Sequence, residues 1–406
     1  MKIIPRLFYT DKIKKYLGRN TIIILTGQRR VGKSYLLRLI RDSFDKNPGD
    51  NIIFIDKEKK EYDGIKDYSD LNAFIDTHRK KGKRNFILID EVQDIFLFEK
   101  SLRSYYEEED VEIIVTGSNS KMVSSELSTI IGGRYKEIYI QSLAYNEFLH
   151  FHNLEDSDES VNKYLQFGGL PGLNRIGLNP DDVLEYQNDV VNTVLVKDIL
   201  LRYEIRNVSF LQNLIQFLAD NTGKLISASN ISNYMKSNGN SVSVNMILNY
   251  IEYLCESYII KKAPRYDIHG KKIFENNEKY YFQDIGIRNA FLRSHRAFDI
   301  EKVIENIVYN HLVREGYNVT VGQLKDKEID FVAQLPGKSP IFIQVAYLLA
   351  SEETVKREFG NLKGIKNNYP KYVISMTSLF PGADDEGVLH ITLRDFLKKG
   401  LDAAQK

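Results

Sequence analysis

The sequence predicts an α/β chain that opens on a parallel sheet covered by helices and closes on a second, smaller α/β segment. Three observations predict it. Between Ile22 and Ile140, five short runs rich in β-branched residues (TIIILTG, IIFID, NFILIDE, VEIIVTGS and KEIYIQS) alternate with helical stretches, the rhythm of parallel strands joined by crossover helices. After Leu143 that rhythm stops. Helical sequence then runs to about Tyr203, and Asn207 to Asp284 reads as three helices and a two-stranded ribbon. Beyond Asp299 the order is helix, three strands, helix, strand, strand, helix. The expected segments are 1–143, 144–205, 206–298 and 299–406.

Composition narrows the class. The chain has 406 residues and is 43% hydrophobic, enough apolar material for several domains. A net charge of +1 excludes a global field for nucleic acid, so any such contact rests on local patches. The single cysteine, Cys255, excludes an internal disulfide and fits a reducing compartment. No apolar run reaches the ~20 residues of a membrane span. The charged start MKIIPRLFYTDKIKKYL is unlike a secretory signal, so a cytoplasmic location is expected.

The first apolar run leads into GQRRVGKS, that is Gly27, Gln28, Arg29, Arg30, Val31, Gly32, Lys33 and Ser34, and then into a helix opening at Tyr35. Strand, glycine loop and helix are the setting that a G-x-x-x-x-G-K-[ST] phosphate loop requires. Its glycines let successive backbone N–H groups turn toward phosphate at the positive end of a helix. Lys33 is expected on the β/γ-phosphates of ATP, and Ser34 on Mg²⁺. The run NFILIDE delivers Asp90 and Glu91 to a strand's carboxyl end, where open α/β sheets bind ligands. Asp90 is expected to support the Mg²⁺, and Glu91 to orient and polarise the attacking water. The next run ends in polar residues, of which Ser118 or Asn119 is expected near the γ-phosphate.

At these residues the chain resembles the AAA+ branch of P-loop ATPases. The resemblance implies that Arg134, in TIIGGRYKEI before the fifth strand, reaches into a neighbouring subunit's site, so that hydrolysis requires an oligomer, with a ring as one form. A surface arginine in a glycine-rich turn is the other reading. The helical stretch 144–205 resembles a AAA+ lid, whose FGGLPGL (Gly168, Gly169 and Pro171) is similar to a turn packed beside adenine. A plain helix–helix corner remains the alternative.

Three helices and a ribbon turning at His269-Gly270 make the winged form of a helix-turn-helix. Ser227 and Ser243 are expected N-caps. In the third helix, Val244, Ile247, Leu248, Ile251, Leu254 and Cys255 form an apolar stripe. That helix carries Glu252 and Glu256 but no lysine or arginine, which disfavours major-groove reading. From Lys261 to Lys279 six basic residues face three acidic ones. Arg265, Lys271 and Lys272 are therefore candidates for gripping DNA phosphates without reading sequence; a solvated hairpin is the alternative.

The last segment resembles the restriction-endonuclease-like nuclease fold, which includes archaeal Holliday-junction resolvases. Glu305 matches its helix acid and Asp330 its first strand acid. Gln344 stands where the second strand acid belongs, and Ala346 where the lysine belongs, so the site reads as degenerate, with Lys356 as a possible substitute lysine. Losing a carboxylate removes a charge that Mg²⁺ needs. The whole chain is similar to a family of bacterial and archaeal proteins in which a AAA-type ATPase precedes a nuclease-related domain of unknown function. Three functions remain open at this point: an oligomeric ATPase bound to DNA, with branched junctions among the candidate structures; an ATP-gated protein-interaction switch; and an ATP-dependent nuclease.

Overall fold

The computed structural model describes residues 4–44, 49–120, 132–237, 242–273, 277–292, 299–378 and 387–404. Turn residues 129–131, ribbon residues 274–276 and the boundary residue 298 lie outside them. By their contacts the residues divide into two compact units, Met1–Gln141 with Glu256–Tyr258, and Ser142–Cys255 with Ile259–Lys406.

The first unit contains α1 (Leu7–Lys14), β1 (Ile22–Thr26), α2 (Lys33–Phe44), β2 (Asp50–Asp56), α3 (Tyr68–His78), β3 (Arg84–Asp90), α4 (Phe98–Tyr106), β4 (Val111–Thr116) and β5 (Tyr135–Tyr139). All five expected runs are strands of one parallel sheet, in the order β2-β3-β4-β1-β5. Every residue of β1 and β4 is buried, because helices cover both faces of the sheet. The two-residue period of the strands sorts their side chains. Ile22, Ile24, Ile87 and Ile89 pack with residues of α3 and α4, whereas Ile23, Leu25, Phe86 and Leu88 pack with α1 and α2. A reciprocal Asp67–Asp70 capping box sets the start of α3. Because the strands are parallel, Thr26, Asp56, Asp90 and Thr116 all end at one edge of the sheet, which becomes the site.

The second unit begins with α5 (Tyr145–His152), α6 (Asp158–Phe167), α7 (Leu173–Ile176) and α8 (Pro180–Thr193), the last running on as a π-helical stretch, Val194–Leu200. Next come α9 (Val208–Asp220), α10 (Ala228–Ser237) and α11 (Val244–Glu256). The N–H groups of Asn230 and Met246 donate to the Ser227 and Ser243 hydroxyls at 3.1 and 3.2 Å, so both serines cap helices. Only part of the stripe expected on α11 is inside. Ile247, Ile251 and Leu254 are buried beside Tyr250, while Val244 and Leu248 are exposed, since α11 packs through a narrower face than its apolar pattern allows.

The ribbon turns about His269-Gly270 as expected, but its ladder is not continuous. β6 (Ile260–Ala263) pairs antiparallel with β9 (Lys279–Phe282), but β7 (Arg265–Asp267) and β8 (Lys272–Ile273) leave it. Pro264 lies between β6 and β7. It has no N–H to continue the ladder, and its carbonyl accepts the Val321 N–H at 2.9 Å. β7 thus lies parallel to β10 (Asn318–Leu324), extending the final sheet.

After the helix α12 (Ile285–Leu292), which the sequence reading missed, comes α13 (Ile300–Arg314). The expected order then follows: β10, β11 (Lys327–Gln334), β12 (Ile341–Ala346), α14 (Glu352–Lys363), β13 (Lys371–Ser375), β14 (Val388–Thr392) and α15 (Leu393–Lys399). The sheet has seven strands, ordered β14-β13-β12-β11-β10-β7-β8. Tyr145, Val161 and Leu165, from 144–205, share a core with α13 and this sheet, whereas Val183 and Val190 share another with α9 and α11. The three downstream segments therefore lie within one unit.

Candidate nucleotide-binding site

Gly27 leaves β1 at φ +139°, and a Cβ there would stand 2.2 Å from the Ile140 carbonyl oxygen, so only glycine fits. Arg30 and Gly32 also turn through positive φ, at 72° and 95°, curling the loop back toward α2. Lys33 is buried, and its Nζ donates to the Gly27 and Gln28 carbonyls at 2.9 and 3.1 Å. The loop thus already encloses an ammonium group. Both heteroatoms of the Gln28 side chain are buried without a hydrogen-bond partner among the described residues.

Other loop residues brace the turn. Arg29 pairs with Glu58 at 3.4 Å, Arg30 is exposed and Val31 is in the core. The Tyr35 hydroxyl accepts the Ile4 N–H at 2.6 Å. Sequence reasoning missed Arg6, which is fully buried and donates to the carbonyls of Val31 at 2.8 Å and Gln141 at 3.0 Å. Nothing local to Arg6 marks that role, since its partners lie 25 and 135 residues away.

The structure brings the acids to the same edge. Asp90 ends β3, fully buried, and accepts a hydrogen bond from the Thr116 hydroxyl. No hydrogen bond of ordinary geometry reaches its Oδ2 among the described residues. Burial pushes the Asp90 carboxyl above the usual aspartate value, against the pull of the Thr116 and Ser34 hydroxyls. Glu91 sits in the left-handed region at φ 54°, a conformation that costs energy unless its surroundings impose it. They do: its N–H donates to Thr116 Oγ1 at 2.9 Å, and the Gln93 amide donates to its carboxylate at 2.5 Å. Burial opposes the charge on Glu91, but Lys33, Gln93, Arg29 and Ser118 outweigh it and hold the carboxyl below the ordinary glutamate value. The neighbouring acids therefore take opposite shifts.

Ser118 and Asn119 lie buried just past β4. Thr116 and Asp56 were missed, although strand-end positions in VEIIVTG and IIFID were the available signal. Asp56, opposite Asp90 in the β2–β3 register, is held by Arg38 at 3.0 Å.

Arg134 is not brought to this edge. It precedes β5, where its carbonyl accepts the Ile22 N–H at the start of β1, about 17 Å of strand away from Gly27. Its side chain is 55% exposed, 3.6 Å from Glu107 and over the Tyr106 ring. Pro171 belongs to the second unit. There Gly169 N–H donates to Asp284 Oδ2 at 2.9 Å, and a Cβ on Gly168 would stand 2.5 Å from Asp284 Oδ1.

Among the DNA-contact candidates, Lys271 and Lys272 are exposed, whereas Arg265 is engaged by Gln323. Glu305 and Asp330 do meet, with Lys279 between them, while Gln344 is buried with no hydrogen-bond partner for its Oε1 among the described residues. Lys356 is not drawn in: it is 80% exposed on α14, paired with Glu352.

Against known proteins, residues 19–149 match the family described as an AAA domain, and residues 158–297 match one described as a domain of unknown function, DUF8612. An uncharacterized protein of Haemophilus influenzae is 33% identical over 382 residues, spanning 92% of this chain and 93% of its own. The chain belongs to this AAA-domain family. A second uncharacterized relative of the family, from Methanocaldococcus jannaschii, is 28% identical over 399 residues, covering 93% of this chain and 85% of its own. Over 71% of its length the chain is similar in fold to a Walker-type ATPase of Pyrococcus abyssi, at a TM-score of 0.51 and 17% identity, covering 96% of that chain. The parallel-sheet core is thus that of a P-loop ATPase. Among the described residues no helix is long and apolar enough to cross a membrane.

Proposed function

We propose that this AAA-domain protein binds ATP with Mg²⁺ at the Gly27–Tyr35 loop and hydrolyses it in an oligomer that contacts DNA. One observation carries the nucleotide reading: both heteroatoms of the Gln28 side chain are buried in the loop without a hydrogen-bond partner among the described residues. Buried polar atoms are rarely left so unless a ligand takes them. The donor set fits Mg²⁺, because a carboxylate oxygen and the Ser34 hydroxyl are hard oxygen ligands. Bound there, the ion would neutralise charge on the phosphate oxygens.

The protein's own groups supply the rest. Lys33 exchanges its two carbonyl partners for phosphate. Glu91, held charged and nearly enclosed, orients a water and accepts its proton. Ser118 and Asn119 face the γ-phosphate. Arg134 acts on a neighbouring subunit's nucleotide, its planar fork stabilising charge on the phosphoryl oxygens. Lys271 and Lys272 grip the DNA backbone.

The test is calorimetry with ATP and Mg²⁺ together with phosphate release, for the wild type and Lys33→Ala. Binding and turnover that survive Lys33→Ala would sink the nucleotide reading. Turnover unaffected by duplex, forked and four-way DNA, with no salt-dependent binding, would sink the DNA part. A second reading, an ATP-gated protein-interaction switch, is favoured by the Arg265–Gln323 contact, which takes one of three basic candidates out of play. It predicts a stoichiometric protein partner that Lys33→Ala fails to retain.

A further inference from the structure

The Glu305–Asp330 constellation has an occupant. Lys279 of β9 is almost wholly buried, and its Nζ lies 2.8 Å from Glu305 Oε1, 2.7 Å from Glu328 Oε1 and 3.7 Å from Asp330 Oδ1. Tyr281, two residues on and so on the same face of β9, donates to the same Glu305 oxygen at 2.6 Å. The Val345 N–H donates to Asp330 Oδ2 at 2.8 Å. From the other side the backbone closes in, since a Cβ on Gly223 would stand 2.9 Å from Glu305 Oε2.

This donor set does not fit a divalent cation. Mg²⁺ would need carboxylate oxygens at about 2.0–2.1 Å, and one oxygen each from Glu305, Glu328 and Asp330 already faces the ammonium. Adding two positive charges beside a buried third one is strongly unfavourable where water cannot screen them. Nor is Lys279 placed as the working lysine of a nuclease in lieu of Ala346. Its side chain is 2% exposed, so a DNA phosphate has no route to it.

We propose that Lys279 is a permanent internal counter-ion, standing where the resembled nucleases hold their metal. The acids persist as a clamp, and this centre does not cleave DNA through divalent cations. The clamp joins β9, from the 206–298 stretch, to α13 and β11 of the last one. Beside it the Asn306 amide brackets Phe282, accepting its N–H at 2.8 Å and donating to its carbonyl at 2.7 Å. Burial works against the Lys279 charge, but Glu305, Asp330 and Glu328 together keep it protonated far above the ordinary lysine range. Asp330 is pushed well above the carboxylate range by burial and by Glu305, against the pull of Lys279, as befits a centre with one internal cation and surplus acid.

The experiment is Mn²⁺ titration of the nucleotide-free full chain, followed by electron paramagnetic resonance, alongside thermal unfolding in Mn²⁺ or EDTA. The wild type is expected to show no tight Mn²⁺ site and no change in Tm. Lys279→Met, which leaves the acids uncompensated, is expected to lose roughly 10 °C, acquire one Mn²⁺ site and regain most of its Tm with Mn²⁺. The double variant Lys279→Met/Asp330→Asn is expected not to be rescued. A saturable Mn²⁺ site in the wild type that Asp330→Asn abolishes overturns the proposal, as does a folded Lys279→Met that ignores Mn²⁺. Should Lys279→Met not fold, the wild type and Asp330→Asn decide the matter alone: absence of any tight site that Asp330→Asn abolishes supports the counter-ion, and presence of such a site refutes it.

Discussion

The Thr116 hydroxyl donates to Asp90 Oδ1 at 2.5 Å. Thr116 Oγ1 in turn accepts the Glu91 N–H at 2.9 Å, so one side chain orients the Asp90 carboxyl and holds Glu91 in its left-handed turn. Thr116→Val keeps the shape but removes both bonds. Turnover is expected to fall at least about tenfold, and stability by roughly 1–3 kcal/mol from the stranded Glu91 N–H. ATPase assays and urea unfolding check this; unchanged turnover would show that the bridge is not needed.

Arg134 stands at the opposite edge of the sheet from Gly27, so the proposed role requires a second subunit. Arg134→Ala and Lys33→Ala are each expected to hydrolyse ATP slowly. Mixed, they should recover part of the wild-type rate, because an intact loop on one chain meets an intact arginine on another. Mixtures no faster than the sum of their components would eliminate action in trans.

Asp284 accepts the N–H groups of Gly169 at 2.9 Å and Ile287 at 3.1 Å while fully buried. Asp284→Ala leaves both donors unsatisfied, at a cost of about 2–4 kcal/mol. Urea unfolding measures it, and a loss below about 0.5 kcal/mol, the range of ordinary surface changes, would mean that the glycine turn does not depend on this carboxylate.

His311, buried on α13 with its ring 4.6 Å from that of Phe396, is lowered from 6.5 to about 3 by burial first and Arg314 second. Between those values the unfolded chain binds the proton and the folded chain does not, so stability drops as pH falls below 6.5. The slope is about 1.4 kcal/mol per pH unit, or roughly 2 kcal/mol between pH 6.5 and 5. His311→Gln should lose that much less than the wild type over the same interval in urea unfolding. Equal losses would remove His311 as the cause.

Much of the nucleotide site was legible because its parts are covalent neighbours. Gly27, Gly32, Lys33 and Ser34 are spaced by the chain itself, and Asp90 and Glu91 are carried to the sheet edge by the apolar run before them. Thr116 and Asp56 were half legible, as strand ends of the same kind. Arg6 was not, because its partners are backbone carbonyls that any residue would offer. The ribbon's turn at His269-Gly270 was legible, since β7 and β8 pair across it, but the pattern from Lys261 to Lys279 is equally that of one continuous ladder or of one broken midway. Pro264 decides between them only once Val321 is there to use its carbonyl.

Residue order alone determined the five-stranded core, its phosphate loop and the succession of elements after Asp299, because these follow from local spacing and the strand and helix periods. Tertiary structure alone decided which distant side chains meet. Lys279 enters the Glu305–Asp330 cluster, and Asp284 locks the Gly168–Gly169 turn, because packing drives these polar groups out of water, and a buried charge or N–H persists only where a partner from elsewhere in the chain compensates it.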